Sequence, residues 1–144
     1  MSIESFGYVA AMVLVASVWG SMLFFAAVVA PAVFSFLKPD VAGPFIRRLF
    51  PFYYGVLGVA SILAAIGLGL RAFDGAFWAI LAVALGFVVA RQGLMPKINA
   101  LRDRSLQGDQ EAERHFQRYH GASVILNAVQ MLVVFAVLVL NLTF

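Results

Sequence analysis

The sequence predicts an all-α membrane protein, an antiparallel up-down bundle of four spanning helices. A short interfacial helical segment is expected between the third and fourth spans. Composition supports this prediction, because 63% of the residues are hydrophobic and only 12% are charged, whereas a soluble domain has about 25% charged residues. The apolar residues also form four long runs, and a run of about 20 apolar residues can cross a bilayer as a helix.

The four apolar runs form one predicted transmembrane domain over residues 1–144. The predicted spans are about 6–37, 51–70, 75–94 and 120–143. The first span is longer than a bilayer requires, so we expect it to tilt or project. The N-terminus has no basic region before its apolar run, so no cleavable signal peptide is predicted.

The connections between the spans are set by proline, glycine and aspartate. The first connection, 38–50, contains two prolines. The second is short, which makes spans two and three antiparallel neighbours, and Asp74 can cap the third span. In the third connection, 95–119, Pro96 ends or bends the preceding span and Asp109 can start a new helix.

The basic residues predict how the bundle is oriented. Nine of the ten Lys and Arg residues lie in or beside the first and third connections, and only Arg71 lies on the opposite side. The positive-inside rule therefore places these connections in the cytoplasm and both termini outside it, in the cell inner (plasma) membrane. The net charge of +3 comes from residues that flank spans, so the predicted partner is the lipid bilayer and not nucleic acid.

The fourth span carries a polar stripe. His120, Ser123, Asn127 and Gln130 follow one another at intervals of three or four residues, which places them on one helical face. Exposing that face to lipid would cost several kcal/mol. We therefore expect the other spans to pack around it.

Further polar side chains are expected to meet this stripe at the cytoplasmic end. Arg48 and Tyr53 lie at the start of the second span, with Arg47 beside them, and Arg91 lies near the end of the third. Together they predict a basic pocket that suits an anion, a lipid headgroup or a carboxylate. The candidate ligand-binding residues are Arg48, Tyr53, Arg91, His120, Ser123, Asn127 and Gln130.

Simpler interpretations exist for the same residues. Arginines near an interface can extend to lipid phosphates. His120 can cap or join helices. Asn127 and Gln130 can form interhelical hydrogen bonds, which typically contribute about 0.6 kcal/mol.

Metal, cofactor and catalytic patterns are weak. The chain has no cysteine, which excludes disulfides, thiolate metal sites and cysteine nucleophiles. His115 and His120 are five residues apart, a poor spacing for one helical face, so no metal site or cofactor is predicted. Scattered methionines could bind monovalent copper but usually serve packing. With no paired carboxylates, phosphate-binding glycine loop or Ser/His/Asp set, no catalytic residue is predicted.

Four strings resemble a known family, that of transmembrane protein 205, whose bacterial members carry a domain of unknown function. The resemblance is collinear over nearly the whole chain and implies a four-helix membrane protein. The human member is linked to resistance to platinum drugs, which suggests export or trafficking. This chain has a much shorter third connection and no cysteine, so thiol-based platinum handling does not transfer to it. The strings are Val18-Trp19-Gly20, Leu49-Phe50-Pro51-Phe52-Tyr53, Ala90-Arg91 and Arg118-Tyr119-His120-Gly121, followed by Ser123 and Asn127.

The chain is more faintly similar to copper-resistance D proteins and HemJ-type protoporphyrinogen oxidases. It shares with them a first span that contains Trp, a basic start to span two and a polar link before span four. HemJ-type proteins depend on a histidine in the first span, and this chain has none there. Haem ligation by paired histidines within the bundle is therefore not expected.

We expect a non-enzymatic protein that binds or moves a small molecule or lipid through a cytoplasm-facing polar pocket. Two alternatives are a haem- or copper-linked membrane redox protein and an accessory subunit of a larger membrane complex. Four spans are few for a transport pathway, so a homo-oligomer is expected, with small residues on spans one and two as candidate contacts. These residues are Gly7, Ala10, Ser17, Gly20, Ala27 and Ala30, and Gly55, Gly58, Ser61, Gly67 and Gly69.

Overall fold

The computed structural model describes residues 2–142, which form four long helices. They are α1 (Ile3–Phe36), α2 (Pro39–Gly69), α3 (Gly75–Ser105) and α4 (Gln110–Leu142). All four are long and apolar enough to cross a membrane, and the described residues contain no strand. The predicted all-helical four-helix bundle is confirmed, and the chain is a multi-pass membrane protein. The predicted ends at residues 1, 143 and 144 lie outside the described residues.

The helix α2 begins earlier than the second predicted span. Lys38 has an extended backbone, and the helix starts at Pro39, where a missing N–H costs little. It then continues through Pro44 and Pro51, so most of the predicted connection 38–50 is helical. Proline inside a helix is destabilising; the ion pair from Arg47 to Asp103 of α3 and the packing of Phe50 against the core hold this segment to the rest of the bundle and oppose that cost.

The helix α3 likewise continues through Pro96 to Ser105. The helical segment expected between spans three and four is thus continuous with α3, and it packs antiparallel on the start of α4. Gly108 makes the turn with a φ of +94°, a conformation that favours glycine. As predicted, Asp109 starts the next helix, because its carboxylate accepts the Ala112 N–H at 2.9 Å.

The turn between α2 and α3 confirms a second predicted cap. The Asp74 carboxylate accepts the backbone N–H groups of Ala76 and Phe77 at 3.0 and 3.1 Å. These bonds satisfy two donors that the first turn of a helix leaves without partners. The short turn makes α2 and α3 antiparallel neighbours, as expected.

The helices α1 and α2 approach closely at two glycines. A Cβ built on Gly67 would lie 2.6 Å from the Gly7 carbonyl oxygen and 3.0 Å from the Ala11 Cβ. Gly58 is also buried, against Phe87 of α3. These small residues were predicted as contacts between copies of the chain. That prediction is wrong for them, because they are already covered within one chain.

Two π-helical turns interrupt the long helices. They span Phe25–Val29 in α1 and Ala90–Leu94 in α3, and in each the N–H of the following residue donates to the carbonyl five residues earlier. A proline comes two residues after each turn, Pro31 in one helix and Pro96 in the other. A proline ring clashes with the carbonyl four residues earlier in a regular α-helix, and a π turn relieves that clash locally.

The close approach of α1 and α2 can be tested with two glycine substitutions. Gly67→Ala should lower the free energy of unfolding by about 1–3 kcal/mol, because the added methyl meets a backbone oxygen that cannot rotate away. Gly20→Ala is the matched control, since nothing lies within 4 Å of its added Cβ. It should be neutral or stabilising by up to about 1 kcal/mol. Unfolding in detergent micelles measures both, and equal effects would contradict this packing.

Candidate functional site

A cavity of about 890 Å³ lies at one end of the bundle, the end that holds the turn at 37–38 and the turn at 106–109. We call this the polar end. All four helices line the cavity: the second half of α1, the first half of α2, the last turns of α3 and α4 from Phe116 to Met131. Most of the lining residues are apolar, which is typical of a small-molecule site.

The structure brings four of the seven predicted site residues to this cavity. Tyr53, His120, Ser123 and Asn127 line it, and the lining residues do not include Arg48, Arg91 and Gln130. The cavity therefore combines residues of α2 with the first part of the polar stripe of α4.

Aromatic rings form one wall of the cavity. The Phe25 ring centroid lies 5.4 Å from that of Phe50 and 4.6 Å from that of Tyr53. Tyr54 stacks on Phe50 at 5.1 Å and is buried. The Tyr53 hydroxyl makes no hydrogen bond to any other residue in the described range. The wall joins the π turn of α1 to the proline-containing part of α2.

The methionines Met22 of α1 and Met131 of α4 line the cavity. One helical turn farther from the polar end, the Trp19 ring stacks on Phe135, with centroids 5.1 Å apart. That contact joins α1 to α4 and closes the cavity at this depth. Trp19 thus packs α1 against α4.

The polar stripe of α4 forms its hydrogen bonds inside the protein. The Asn127 side-chain amide donates to the Tyr54 hydroxyl at 3.0 Å and to the Ser123 carbonyl at 2.9 Å. The Ser123 hydroxyl donates to the His120 carbonyl at 2.8 Å. The bond to Tyr54 joins α4 to α2, as the simpler interpretation of the stripe expects, and the other two lie within α4.

Gln130 lies deeper, outside the cavity, and joins α4 to α3. Its amide nitrogen donates to the Val83 carbonyl at 2.9 Å. Its side-chain oxygen is buried and accepts no hydrogen bond from the described residues. Gly86 makes room for it, because a Cβ there would lie 2.7 Å from the amide nitrogen.

Arg91 also joins helices and does not line the cavity. It belongs to the π turn of α3, and its Nε donates to the Pro51 carbonyl at 3.1 Å. A Cβ built on Gly55, one turn along α2, would lie 3.9 Å from this nitrogen, which is an ordinary contact. Arg48 is exposed on α2.

His120 faces the cavity with its ring largely free. The imidazole is exposed and stacks on Phe116, with centroids 5.7 Å apart and planes 11° apart. It makes no hydrogen bond to another described residue, so it can donate to or accept from a bound molecule. The other histidine, His115, lies 3.7 Å from Glu111 and does not line the cavity. Within residues 2–142, no group of three or more His, Asp or Glu side chains could hold a metal ion.

Two further arginines line the cavity: Arg47, which was expected beside the candidate residues, and Arg102, which was not predicted. Arg47 of α2 donates to Asp103 of α3 through two bonds, at 2.7 and 2.8 Å. Arg102 lies 5.1 Å from the Phe116 ring centroid and 3.5 Å from a Glu113 oxygen. Neither carboxylate lines the cavity. Every charged side chain in the lining is therefore basic.

Helical spacing could have identified Arg102. Met95, Ile98, Asn99 and Arg102 all line the cavity, and their intervals of three and four residues are those of one helical face. The sequence interpretation treated Pro96 as a break, which separated this face from the third span.

The turn at 106–109, which follows the Arg102 segment of α3, is stabilised by charge. The Arg104 guanidinium donates to Asp109 at 2.6 and 3.1 Å. The backbone N–H of Ala112, followed by Arg104, lowers the pKa of the Asp109 carboxyl. A lowered pKa means that this contribution to stability is present at neutral pH and is lost as the pH falls through the folded-state pKa. Ser105 also donates to Glu113 across the turn.

One comparison with known proteins identifies a family. A family model described as a domain of unknown function, DUF4149, matches residues 13–106. No curated protein matches the chain, and no solved structure matches it. The matched range covers most of α1, all of α2 and all of α3, which carry three sides of the cavity. Since the match spans more than half of the sequence, the chain belongs to the DUF4149 family.

Proposed function

We propose that this membrane protein is not an enzyme and that its cavity binds an amphiphile with an anionic headgroup, either a small molecule or a lipid. One observation carries the proposal. The lining is mostly apolar, and all of its charged side chains are basic. An apolar chain and an anionic group on the same molecule match these two properties.

The apolar part of the lining can hold an alkyl chain. Phe25, Phe50 and the two methionines at the closed end surround it. The volume of about 890 Å³ lies within the range of about 300–1,000 Å³ that is usual for ligand sites. Methionine and aromatic side chains adapt well to flexible apolar ligands.

The basic part of the lining can hold a phosphate or carboxylate. Arg102 keeps donors available, because its contact with Glu113 is long, at 3.5 Å, and uses one nitrogen. Arg47 is fixed by its two bonds to Asp103. Guanidinium groups bind phosphates and carboxylates through paired hydrogen bonds, and His120 adds a neighbouring donor.

The distribution of basic residues supports an orientation in the cell inner (plasma) membrane with the polar end in the cytoplasm. Because the sequence has no cysteine, the orientation can be tested with variants that each carry a single cysteine. Gln107→Cys lies in the turn at the polar end, and Ala72→Cys lies in the exposed turn at the other end. An impermeant maleimide added outside intact cells should label Ala72→Cys only. Labelling of Gln107→Cys alone would reverse the orientation.

The binding proposal is tested by ligand-induced stabilisation in neutral detergent. Dodecyl phosphate should raise the melting temperature, since a ligand at 100 times its Kd stabilises the folded state by about 2.7 kcal/mol. Dodecyltrimethylammonium, which has the same chain with a positive headgroup, should not. His120→Ala and Arg102→Gln should each reduce the rise.

The matched controls are His115→Ala and Arg104→Gln, which remove the same side-chain types outside the cavity lining. The rise is measured against each variant's own melting temperature without ligand, so differences in basal stability cancel. Equal responses to both amphiphiles, or equal responses of cavity and control variants, would refute an anionic site in this cavity.

A further inference from the structure

We infer that the ligand is a phospholipid with an anionic headgroup and that it enters the cavity sideways from the bilayer, between α1 and α4. This inference rests on the proposed function and adds to it the source of the ligand and its path. The alternative source is a soluble anionic amphiphile that enters through the polar end.

The helices α1 and α4 contact each other between the closed end of the cavity and the end of the bundle opposite the polar end. Far from the polar end, the Tyr8 hydroxyl donates to the Asn141 carbonyl at 3.0 Å. Nearer the cavity, Trp19 stacks on Phe135. The two helices are therefore joined from the start of α1 to the closed end of the cavity.

Beyond Trp19, the helix α1 leaves α4. The π turn at Phe25–Val29 begins one turn after Met22, and its first ring, Phe25, packs on Phe50 and Tyr53 of α2. The segment Ala30–Phe36 makes few contacts with α2 and fewer still with α4. The cavity occupies the space between the diverging parts of α1 and α4.

The exposure of the lining residues shows where this space opens. Apart from Pro39, Gly43, Arg47 and Arg102 near the polar end, the lining residues of α2 and α3 are buried or half-buried, as Tyr54 and Ala90 are. On α1 and α4, by contrast, Ala26, Val124 and Ala128 line the cavity and are exposed. The cavity thus opens on the lateral surface of the bundle between these two helices.

The chemistry of the opening favours a lipid. The rims of the opening are apolar, and the side chains of Ala26 and Ala128 on them are small methyl groups. An acyl chain can therefore pass between the two helices. Arg47 and Arg102 lie at the polar end of the same cavity, where a lipid in that leaflet carries its headgroup. A molecule that slides in from the leaflet keeps its chain in apolar surroundings and its anionic group beside cations throughout.

The test uses vesicles that contain a trace of phosphatidylglycerol with a diazirine at the end of one acyl chain. After photolysis, peptide mass spectrometry should find adducts at Met22, Met131 or Tyr53, inside the cavity. Ala26→Trp and Ala128→Trp place a bulky ring in the opening and should each reduce these adducts about tenfold, the equivalent of about 1.4 kcal/mol.

The matched controls are Ala27→Trp and Ala122→Trp. Both residues are exposed on the same helices and do not line the cavity, so their adducts should equal those of the unsubstituted protein. If a tryptophan variant fails to fold, Ala26→Leu replaces it and should give a smaller reduction. Adducts confined to the outer surface, or adducts in the cavity that the substitutions do not change, would overturn lateral entry.

The dodecyl phosphate experiment separates the two proposals. If that amphiphile still stabilises the protein while the photoactivatable lipid leaves no adduct in the cavity, the anionic site stands and its ligand comes from water. If neither probe binds, the proposed function fails, and lateral entry fails with it.

Discussion

The structure depends on one constraint: the amide and guanidinium donors inside an apolar bundle must find acceptors within the protein. That constraint sets the positions of the helices relative to one another. Asn127 joins α4 to α2 through Tyr54, Gln130 joins α4 to α3 through the Val83 carbonyl, and Arg91 reaches from α3 to a carbonyl of α2. Most polar groups of the stripe are thereby used in packing. The polar groups that remain available to a ligand are a different set, namely the cationic side chains at the polar end and the His120 ring.

The cavity follows from how the chain accommodates its prolines. Both π turns contribute lining residues, Phe25 and Ala26 in α1 and Ala90 and Leu94 in α3. Proline-associated π turns often occur at functional sites, where they place side chains differently from a regular helix. Here they coincide with the depth at which α1 leaves α4. The same local feature therefore supports both the space for a ligand and the lateral opening.

Much of the fold was predictable from sequence, because apolar runs and helix caps are local signals. The four helices and the caps at Asp74 and Asp109 followed from them. The path of the chain through Pro44, Pro51 and Pro96 did not, since proline ordinarily ends a helix and the opposing packing is not local. For the same reason, only part of the candidate site was predictable, because contacts between helices are not local in sequence. Ser123 and Asn127 were visible as one helical face, whereas Arg102 lay beyond an apparent break, and Gln130 and Arg91 could be assigned to packing only once their partners on other helices were known.

The central claim is that the cavity holds an anionic amphiphile, and the molecules that the protein carries in its own membrane test it most directly. We would measure native mass spectra of the protein after gentle extraction from that membrane. The account predicts a chain that retains one anionic lipid or amphiphile, released as a mass that fragments to a phosphate or carboxylate headgroup. A bare chain, a chain that retains only uncharged or cationic lipids, or one that appears only with a foreign subunit would contradict it.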